Sequence, residues 1–550
     1  MRAFAFALLA FATPSAGAQG GPQPLGPYTE VRSVYSGVPY GVRIVYDEGS
    51  DALYLLTTLG EVYRGTRPFG ESPLELLYTP ADHGLSYPTF GMDVGPDGAL
   101  YLVGNRFEDE GAIGIGLVVR GQLGADGERT WETVARTEPY PRSNAGYDHN
   151  FTAVAVSPDG ADLFVSSGSR TDHGEVQDGG GAYPGLREIP ITSALLRVPA
   201  DATDLVLQND EAFLVDNGYL YADGFRNAFS LAFDGDGRLV GIDNAGDRDD
   251  PDELNVIVEG GHYGFPWQIG GNATPQQFPG YDPSADLLLN PAAGAVQAGF
   301  FYDDPSYPAP PAGVTFLEPV ANVGPDADRY RDPVTGEVRS ASADGGVLHT
   351  FTAHRSPLGL AFDTEGASEG RPGWGFVLSW TGQDSPLLSA MSPYGEDLLA
   401  FRLEETEAGY RAEVFREVEG FASPIGSAVV DGKVYVLEIG ESAGVWEVTF
   451  TGGLAAEGGP DGSGLHVAAF PNPAVDEARV EVRTDGPQPV EVALYSVLGQ
   501  RVARLQGYSA GGAVPAAFDL PVAGLAPGAY VLRVVSGADV AVRRLSVVGR

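Results

Sequence analysis

Two histidines and two arginines stand just ahead of apolar strand patterns, at positions where a ligand could touch several strands at once. His149, Arg226 and the pair His354 and Arg355 each precede such a pattern, in matching register. The chain has only 7 histidines, so two of them in this register are an uncommon coincidence. A histidine beside an arginine can act as a base with a cation, because the imidazole accepts a proton while the guanidinium stabilises negative charge.

The alternative is structural, because a lone histidine at the start of a strand is often a hydrogen-bonded framework residue. Asp148 flanks His149 and either orients its ring or caps the turn. We place His149, Arg226 and Asp148 in the candidate catalytic set.

An acidic segment at residues 243–253 adds a second candidate site. It holds 6 carboxylates in 11 residues, which repel one another unless a hard cation or arginines neutralise them. Oxygen ligation of calcium is one solution. The other interpretation is a solvated acidic loop in an acidic protein.

These residues are positioned by a unit that recurs between residues 41 and 450: an apolar strand, an acidic or glycine turn, and a second apolar strand. Asp-Gly between such strands is the strongest short-range hairpin signal. The copies begin at residues 41, 91, 153, 230, 359 and 426. Six copies predict an all-β fold, a six-bladed β-propeller over residues 28–450 whose first strands begin at one rim of a channel. The wide gap after the fourth copy predicts a long insertion.

A smaller domain follows a glycine-rich stretch, residues 451–465, which predicts a linker. Residues 466–550 alternate apolar and polar positions as β-strands do. Three segments resemble the type A sorting domain of type IX secretion cargo: FPNP at 470–473, LYSVLGQ at 494–500 and LAPGAYVLR at 525–533. The resemblance implies a small β-sandwich domain and a bacterial protein handled by the type IX secretion machinery. A generic sandwich for carbohydrate or protein contact is the alternative.

The N-terminus and the composition indicate a protein that works outside the cytoplasm. Arg2, an apolar run and Ala-Gly-Ala at residues 16–18 predict a signal peptide over residues 1–18. The mature protein is therefore expected to be secreted or at the cell surface. A net charge of −41 argues against nucleic acid as a partner, and no later apolar stretch is long enough to span a membrane. With no cysteine, the chain has no thiol catalysis, disulfide or zinc–thiolate site.

Five motifs in order resemble those of the glucose/sorbosone dehydrogenase family, six-bladed propellers that use pyrroloquinoline quinone and calcium. They are DH at 148–149, GFRN at 224–227, PDELN at 251–255, YGFP at 263–266 and HRSPLGL at 354–360. The resemblance implies an extracellular oxidoreductase that transfers a hydride from the anomeric carbon of an aldose or similar sugar to the quinone.

The same resemblance implies a role for each candidate residue. His149 would take the hydroxyl proton as general base, and Arg226 would stabilise charge on the quinone oxygen. The remaining assignments are cofactor contacts from Asn227, His354 and Arg355, and calcium ligands from Ala245, Gly246, Asp252 and Glu253, the first two through their carbonyls.

One departure from the family concerns the cations that hold the carboxylates of the cofactor. Family members usually supply them from the late blades, yet the segment ahead of the last repeat has no arginine. We expect Arg355 to substitute, and Lys433 lies on the last hairpin. A tricarboxylate would otherwise bind poorly to so acidic a chain.

Two further functions stay open. The first is a non-catalytic propeller that binds glycan or protein at the same rim. The second is a calcium-dependent lactonase, which needs carboxylates and amides from several blades, whereas the acidic residues here concentrate on one loop.

Overall fold

The computed structural model describes residues 21–26, 28–125, 127–143, 146–382, 385–388, 391, 393–441, 443–451, 465–470, 474–484, 486–496, 501–511, 516–526, 528–536 and 539–548. They form two compact units: residues 21–23, Val31–Glu365 and Gly373–Val448 belong to the larger, and Pro24–Glu30, Gly366–Pro372 and the described residues between 449 and 548 belong to the smaller. The predicted signal peptide and linker residues 452–464 lie outside the described residues.

Six principal sheets lie mainly in the larger unit. The strand named first for each sheet is called its first strand, and the sheets are numbered by the chain order of these six strands. Sheet 1 contains Gly41–Asp47, Ala52–Thr57, Val62–Thr66 and Glu75–Tyr78. Sheet 2 contains Thr89–Val94, Leu100–Glu108, Ile113–Leu123, Arg129–Thr137, Tyr140–Pro141 and Leu205–Leu207. Sheet 3 contains Phe151–Val156, Asp162–Ser167, Ala194–Pro199 and Leu220–Asp223.

The other three sheets are also mainly antiparallel, and in sheet 5 the edge strand Ala321–Pro325 pairs in parallel with Gly409–Glu419. Sheet 4 contains Ala228–Phe233, Leu239–Asp243 and Glu253–Ile257. Sheet 5 contains Pro357–Phe362, Gly375–Ser379, Asp397–Thr406 and Gly409–Glu419, with Ala321–Pro325 and Gln23–Pro24 at its edge. Sheet 6 contains Pro424–Val430, Lys433–Glu438, Gly444–Phe450 and Thr29–Ser36, so a strand from the start of the chain completes the last sheet.

The first strands of the six sheets are neighbours in a closed ring. Each contacts the first strand of the next sheet, and that of sheet 6 contacts that of sheet 1. Five of these strands begin two residues before the repeats identified in the sequence, and the first begins at Gly41 as predicted. Their side chains contribute to buried apolar clusters, and the ring of Phe90 in sheet 2 lies 6.4 Å from that of Phe229 in sheet 4, two sheets further on.

Asp-Gly turns close the inner hairpins because the glycine adopts a left-handed conformation. In sheet 2, Gly98 has φ +77°, and Oδ1 of Asp97 accepts the amide of Ala99 at 3.0 Å. In sheet 6, Asp431 and Gly432 both have positive φ, 50° and 72°. Two positive φ values are what a type I′ hairpin requires, so the turn residues fix the register of these strand pairs.

The predicted insertion follows sheet 4 and is mostly irregular. It contains two small hairpins, Gln268–Ile269 with Asn272–Ala273 and Arg329–Arg331 with Val338–Ser340. The helical segments in the described part of the chain are short: Pro80–His83, Asp109–Gly111, Glu211–Asp216, Pro275–Gln277, Pro283–Ala285 and Gly294–Gln297. Among the described residues, no helix has the length and apolar character needed to cross a membrane.

The smaller unit has its own two sheets and its own core. One sheet contains Leu465–Phe470, Glu477–Thr484 and Ala516–Pro521, and the other Gln488–Ser496, Arg501–Ser509, Gly528–Ser536 and Asp539–Val547. Alternate residues such as Val480, Val482 and Val492 are fully buried in one apolar cluster. The all-β class is confirmed, while six propeller blades and a C-terminal sandwich stay predictions.

Candidate active site

Hydrogen bonds join the starts of the first strands of sheets 3, 4 and 5. Ser169, just after the second strand of sheet 3, donates its amide to the carbonyl of Arg226 at 2.7 Å and accepts the amide of His149 at 2.9 Å. Asn244, just after the second strand of sheet 4, donates Nδ2 to the carbonyl of Pro357 at 2.9 Å. The segment that follows the second strand of one sheet is thus hydrogen-bonded to the start of the first strand of the next sheet.

His149 is held as a neutral imidazole with one nitrogen open. Its Nδ1 lies 3.3 Å from the carbonyl oxygen of Ser169 and 3.2 Å from Oγ of the same residue. The carbonyl can only accept, so Nδ1 carries the proton and Nε2 has the lone pair. None of the described residues hydrogen-bonds Nε2. Burial, aided by the charge of Arg226, lowers the pKa of His149 to about 3.

Of the two roles considered for Asp148, orienting the ring of His149 or capping the turn, the structure supports capping. Its Oδ2 accepts the amide of Ser143 at 2.7 Å and lies 3.8 Å from Nε of Arg142. Burial raises the pKa of this carboxyl. Because no hydrogen bond within the described chain joins it to His149, Asp148 caps the turn, and the expectation that it orients the ring is not met.

Arg226 is buried and fixed by a partner that the motifs did not reveal, Asp172. Its Nη2 lies 2.8 Å from Oδ1 of Asp172, and its Nε donates to the carbonyl of Asp172 at 2.8 Å. Its Nη1 reaches the carbonyl of Asn244 at 3.3 Å. Although burial opposes it, the charge of Arg226 holds the pKa of Asp172 below its usual range. The guanidinium is therefore positioned by two attachments to one residue.

Asp172 also holds a second buried side chain, the imidazole of His173. Nδ1 of His173 lies 2.8 Å from Oδ2 of Asp172 and 3.6 Å from Oε2 of Glu175, and its ring stacks on Phe301 at 3.9 Å. Although burial opposes it, Glu175 and Asp172 raise the pKa of His173. With His173 protonated, two cations and two carboxylates balance.

The acidic segment 243–253 is neutralised mainly from within the protein. Asp249 accepts Nε of Arg331 at 2.6 Å and Nε2 of His354 at 2.7 Å, and Arg248 lies 2.6 Å from Asp250. From the sequence, either calcium or arginines could neutralise these carboxylates. In the structure, Arg331 and Arg248 neutralise two of them, Asp249 and Asp250.

The carboxylates expected to bind calcium are occupied by N–H donors. Asp252 accepts the amides of Ala245 and Ser356 at 2.9 and 3.0 Å. Glu253 accepts the amide of Gly270 at 2.6 Å and Nδ2 of Asn255 at 2.8 Å. Burial raises the pKa of Asp252 to about 6 and that of Glu253 well above its usual value. Among the described residues, no three His, Asp or Glu side chains are grouped to hold a metal, so the arrangement gives no support to Asp252 and Glu253 as calcium ligands.

The carbonyls of Ala245 and Gly246 fit a hard cation better. Neither accepts a hydrogen bond from the part of the chain that is described. A β-carbon on Gly246 would lie 3.0 Å from Oδ2 of Asp172, so a side chain at this position would crowd the loop against Asp172. The amide of Asp247 adds a contact to Oδ1 of Asp172 at 3.2 Å. The loop thus presents two neighbouring carbonyls beside the Arg226–Asp172 pair.

Of the residues expected to contact a cofactor, Asn227 keeps an open acceptor. Its Nδ2 donates to Oδ1 of Asn244 at 3.1 Å, whereas its own Oδ1 is buried with no partner among the described residues. A buried unpaired oxygen costs free energy unless a ligand or water donates to it. Asn227 therefore fits a contact to a bound group.

The other basic side chains considered for cofactor binding form ion pairs within the protein. Arg355 is fully buried, ion-paired with Asp397 at 2.5 Å and bonded to the carbonyl of Pro393 at 2.7 Å. It cannot reach a cofactor, so the expected substitution for late-blade cations is wrong. His354 is engaged by Asp249, and Lys433 pairs with Glu447 at 3.1 Å within sheet 6.

A cation that the motifs did not reveal, Arg43, lies just below the start of these strands. Its Nη2 donates to the carbonyls of Thr152, at 3.0 Å, and Phe229. These residues come three positions after His149 and Arg226, respectively. Burial lowers the pKa of Arg43 to about 9, and no carboxylate among the described residues pairs with it. Sheet 1 thus places a positive charge against sheets 3 and 4, and no carboxylate of the described chain pairs with it.

Weak signals for both missed residues were present in the sequence. Asp172 and His173 belong to a polar run directly after the second strand of sheet 3, which is the same register as Asn244 in sheet 4. Arg43 interrupts an otherwise apolar inner strand. A charged residue at such a position is informative because it must find partners.

Two family models match separate parts of the chain. Residues 84–316 match Glucose / Sorbosone dehydrogenase, and residues 468–548 match the Secretion system C-terminal sorting domain. Both resemblances read from the sequence motifs are thereby confirmed. The sorting domain indicates secretion or cell-surface display through the type IX system. A search of curated proteins finds no match.

Solved structures offer distant likenesses. The soluble aldose sugar dehydrogenase of Escherichia coli, in its apo form, is 15% identical, with 77% of this chain and 99% of that chain covered and a TM-score of 0.48. The PQQ-bound aldose sugar dehydrogenase of Streptomyces coelicolor is 18% identical, with 77% and 99% covered and a TM-score of 0.44. The PQQ domain of pyranose dehydrogenase from Coprinopsis cinerea is 14% identical, with 78% and 98% covered and a TM-score of 0.46.

Proposed function

From a glucose/sorbosone dehydrogenase region joined to a secretion sorting domain, we propose that this protein is an extracellular, quinone-dependent sugar oxidoreductase. Its substrate is an aldose or a similar sugar, and its cofactor is pyrroloquinoline quinone with calcium. The ring of six first strands supports a six-bladed propeller over residues 28–450. The two sheets with one shared core support a sandwich domain over residues 466–550, after the signal peptide (1–18) and the linker (451–465).

The observation that carries the proposal is the open Nε2 of His149 beside the buried charge of Arg226. A neutral imidazole with its other nitrogen fixed by Ser169 is arranged to accept a proton from a sugar hydroxyl. Arg226 cannot turn away, because Asp172 holds it at two points. Its charge then favours negative charge that develops beside it.

The residues present fit the cofactor in part. The quinone, when bound, accepts the hydride. Arg226 and Arg43 supply positive charge, Asn227 offers its unpaired Oδ1, and the carbonyls of Ala245 and Gly246 would hold the calcium ion. Because Arg355 is committed to Asp397, the cofactor carboxylates have fewer direct partners than the motifs suggested. We therefore expect calcium to matter for affinity.

An activity assay tests this proposal. The purified protein is supplied with the quinone and calcium, and aldoses are offered with an artificial electron acceptor. We expect turnover, and His149→Gln should lower kcat by about 10²- to 10⁴-fold because the base is lost. His349→Gln, a partly exposed histidine of the insertion, is the matched control. No turnover with any aldose, or an unaffected His149→Gln variant, would reject the proposal.

The alternative is a non-catalytic propeller that binds glycan or protein at the same rim. The commitment of Arg355 and the distant position of Lys433 favour it. It predicts that His149→Ala leaves ligand binding largely intact, whereas the dehydrogenase predicts loss of turnover.

A further inference from the structure

The insertion after sheet 4 forms a cleft that the proposed redox site does not use. It has a volume of about 250 Å³ and lies between the hairpin at residues 268–273, the hairpin at 329–340 and the segment at 341–349. We call it the insertion cleft. Its rim is open, because Val347 is 49% exposed. None of His149, Arg226 and Asn227 lines it.

The charges that line the insertion cleft are balanced. Asp249 is fully buried and is satisfied by Arg331 at 2.6 Å and His354 at 2.7 Å. Asp344 is paired with Arg339 at 2.9 Å. A charged ligand would have to compete with these ion pairs, so the cleft favours a neutral one.

The polar groups left over suit a ligand with many hydroxyls. Four have no hydrogen-bond partner among the described residues: Oδ1 of Asn272, Nη2 of Arg331, the hydroxyl of Tyr330 and Nε2 of His349. The first can only accept and the second can only donate, while the other two can do either. Sugar hydroxyls both donate and accept, so one sugar unit can satisfy all four types.

The size and the apolar part of the lining agree with this ligand class. The volume is just under the roughly 300–1,000 Å³ of pockets for drug-sized ligands. Leu288, Pro333 and Val347 provide apolar patches between the polar groups, which suit the C–H faces of a pyranose ring. We propose that the insertion cleft binds one neutral sugar unit, at a site separate from the proposed redox site.

The test measures binding of methyl β-D-glucopyranoside to the full chain by calorimetry, without quinone. Its blocked anomeric oxygen prevents oxidation, so the result is independent of whether the protein is a dehydrogenase. Val347→Trp should fill the cleft and weaken binding at least tenfold. Val334→Trp is the matched control, because Val334 is 83% exposed on the same insertion and does not line the cleft.

We expect millimolar binding in the wild type, in Val334→Trp and in His149→Ala, with a loss only in Val347→Trp. Absence of binding at tens of millimolar overturns the proposal. So does unchanged binding in Val347→Trp, or a loss in His149→Ala, since either would put the sugar elsewhere. Tighter binding of methyl β-D-glucuronide than of the glucoside would overturn the assignment of a neutral ligand.

Discussion

Asp172 and Arg226 form a buried ion pair at the junction of sheets 3 and 4, with Oδ1 and Nη2 2.8 Å apart. The two residues are 54 positions apart in the chain. The same carboxylate holds His173 and receives the amide of Asp247. One side chain therefore fixes the guanidinium of Arg226, the imidazole of His173 and the acidic loop together.

Asp172→Asn should lower the free energy of unfolding by about 3 kcal/mol, because it leaves buried Arg226 without its countercharge. Denaturant unfolding measures this. Asp344→Asn, in an exposed pair with Arg339, is the control and should cost less than about 1 kcal/mol. Equal small losses in both variants would mean that the pair does not hold the site.

His149 should stay neutral down to about pH 5, since its pKa is lowered to about 3. In the unfolded chain its pKa is about 6.5. The unfolded state then takes up a proton that the folded state does not, so the free energy of unfolding falls as pH falls from about 6.5 towards 3. Nitrogen chemical shifts in NMR, assigned with His149→Gln, report the ionisation directly.

The matching stability measurement compares the pH dependence of the two proteins. In His149→Gln, the free energy of unfolding should fall less between about pH 6.5 and 4 than it does in the wild type. The difference in slope against pH should correspond to the uptake of at most one proton on unfolding. An imidazole that titrates near pH 6.5 in the folded protein would contradict the assigned environment.

Gly246→Ala should disturb the acidic loop, because the new β-carbon would lie 3.0 Å from Oδ2 and 3.1 Å from the carbonyl of Asp172. We expect a stability loss of about 1–3 kcal/mol and weaker calcium binding by calorimetry. Gly235→Ala is the matched control, since its nearest contact is an ordinary 3.4 Å. Equal stability and equal calcium binding in the two variants would show that the close approach of Gly246 to Asp172 does not matter.

The strands could be predicted because their signal is local. Acidic or glycine turns and alternating residues indicate each inner hairpin, so the first strands begin within two residues of the repeats. The positions of His149 and Arg226 just ahead of the first strands of sheets 3 and 4 followed from that register. Sheet 4, which has only three strands among the described residues, and the insertion after it had no such local signal.

The partners of the charged side chains could not be predicted in the same way. Arg355 was expected at a ligand and is buried against Asp397, 42 residues further on. Asp148 accepts the amide of Ser143, and Asp249 of the acidic loop pairs with Arg331 and His354. Such choices depend on which segments meet in three dimensions, and a single sequence does not contain that information.

The most direct test of the central claim is a titration of the full chain with pyrroloquinoline quinone, with and without calcium, followed by absorbance or tryptophan fluorescence. We predict binding at micromolar concentrations that calcium strengthens. Arg226→Met and Arg43→Met should each weaken it about tenfold, since each removes one buried positive charge, while exposed Arg339→Met leaves it unchanged. No binding at micromolar quinone with calcium present would contradict a quinone site at this rim.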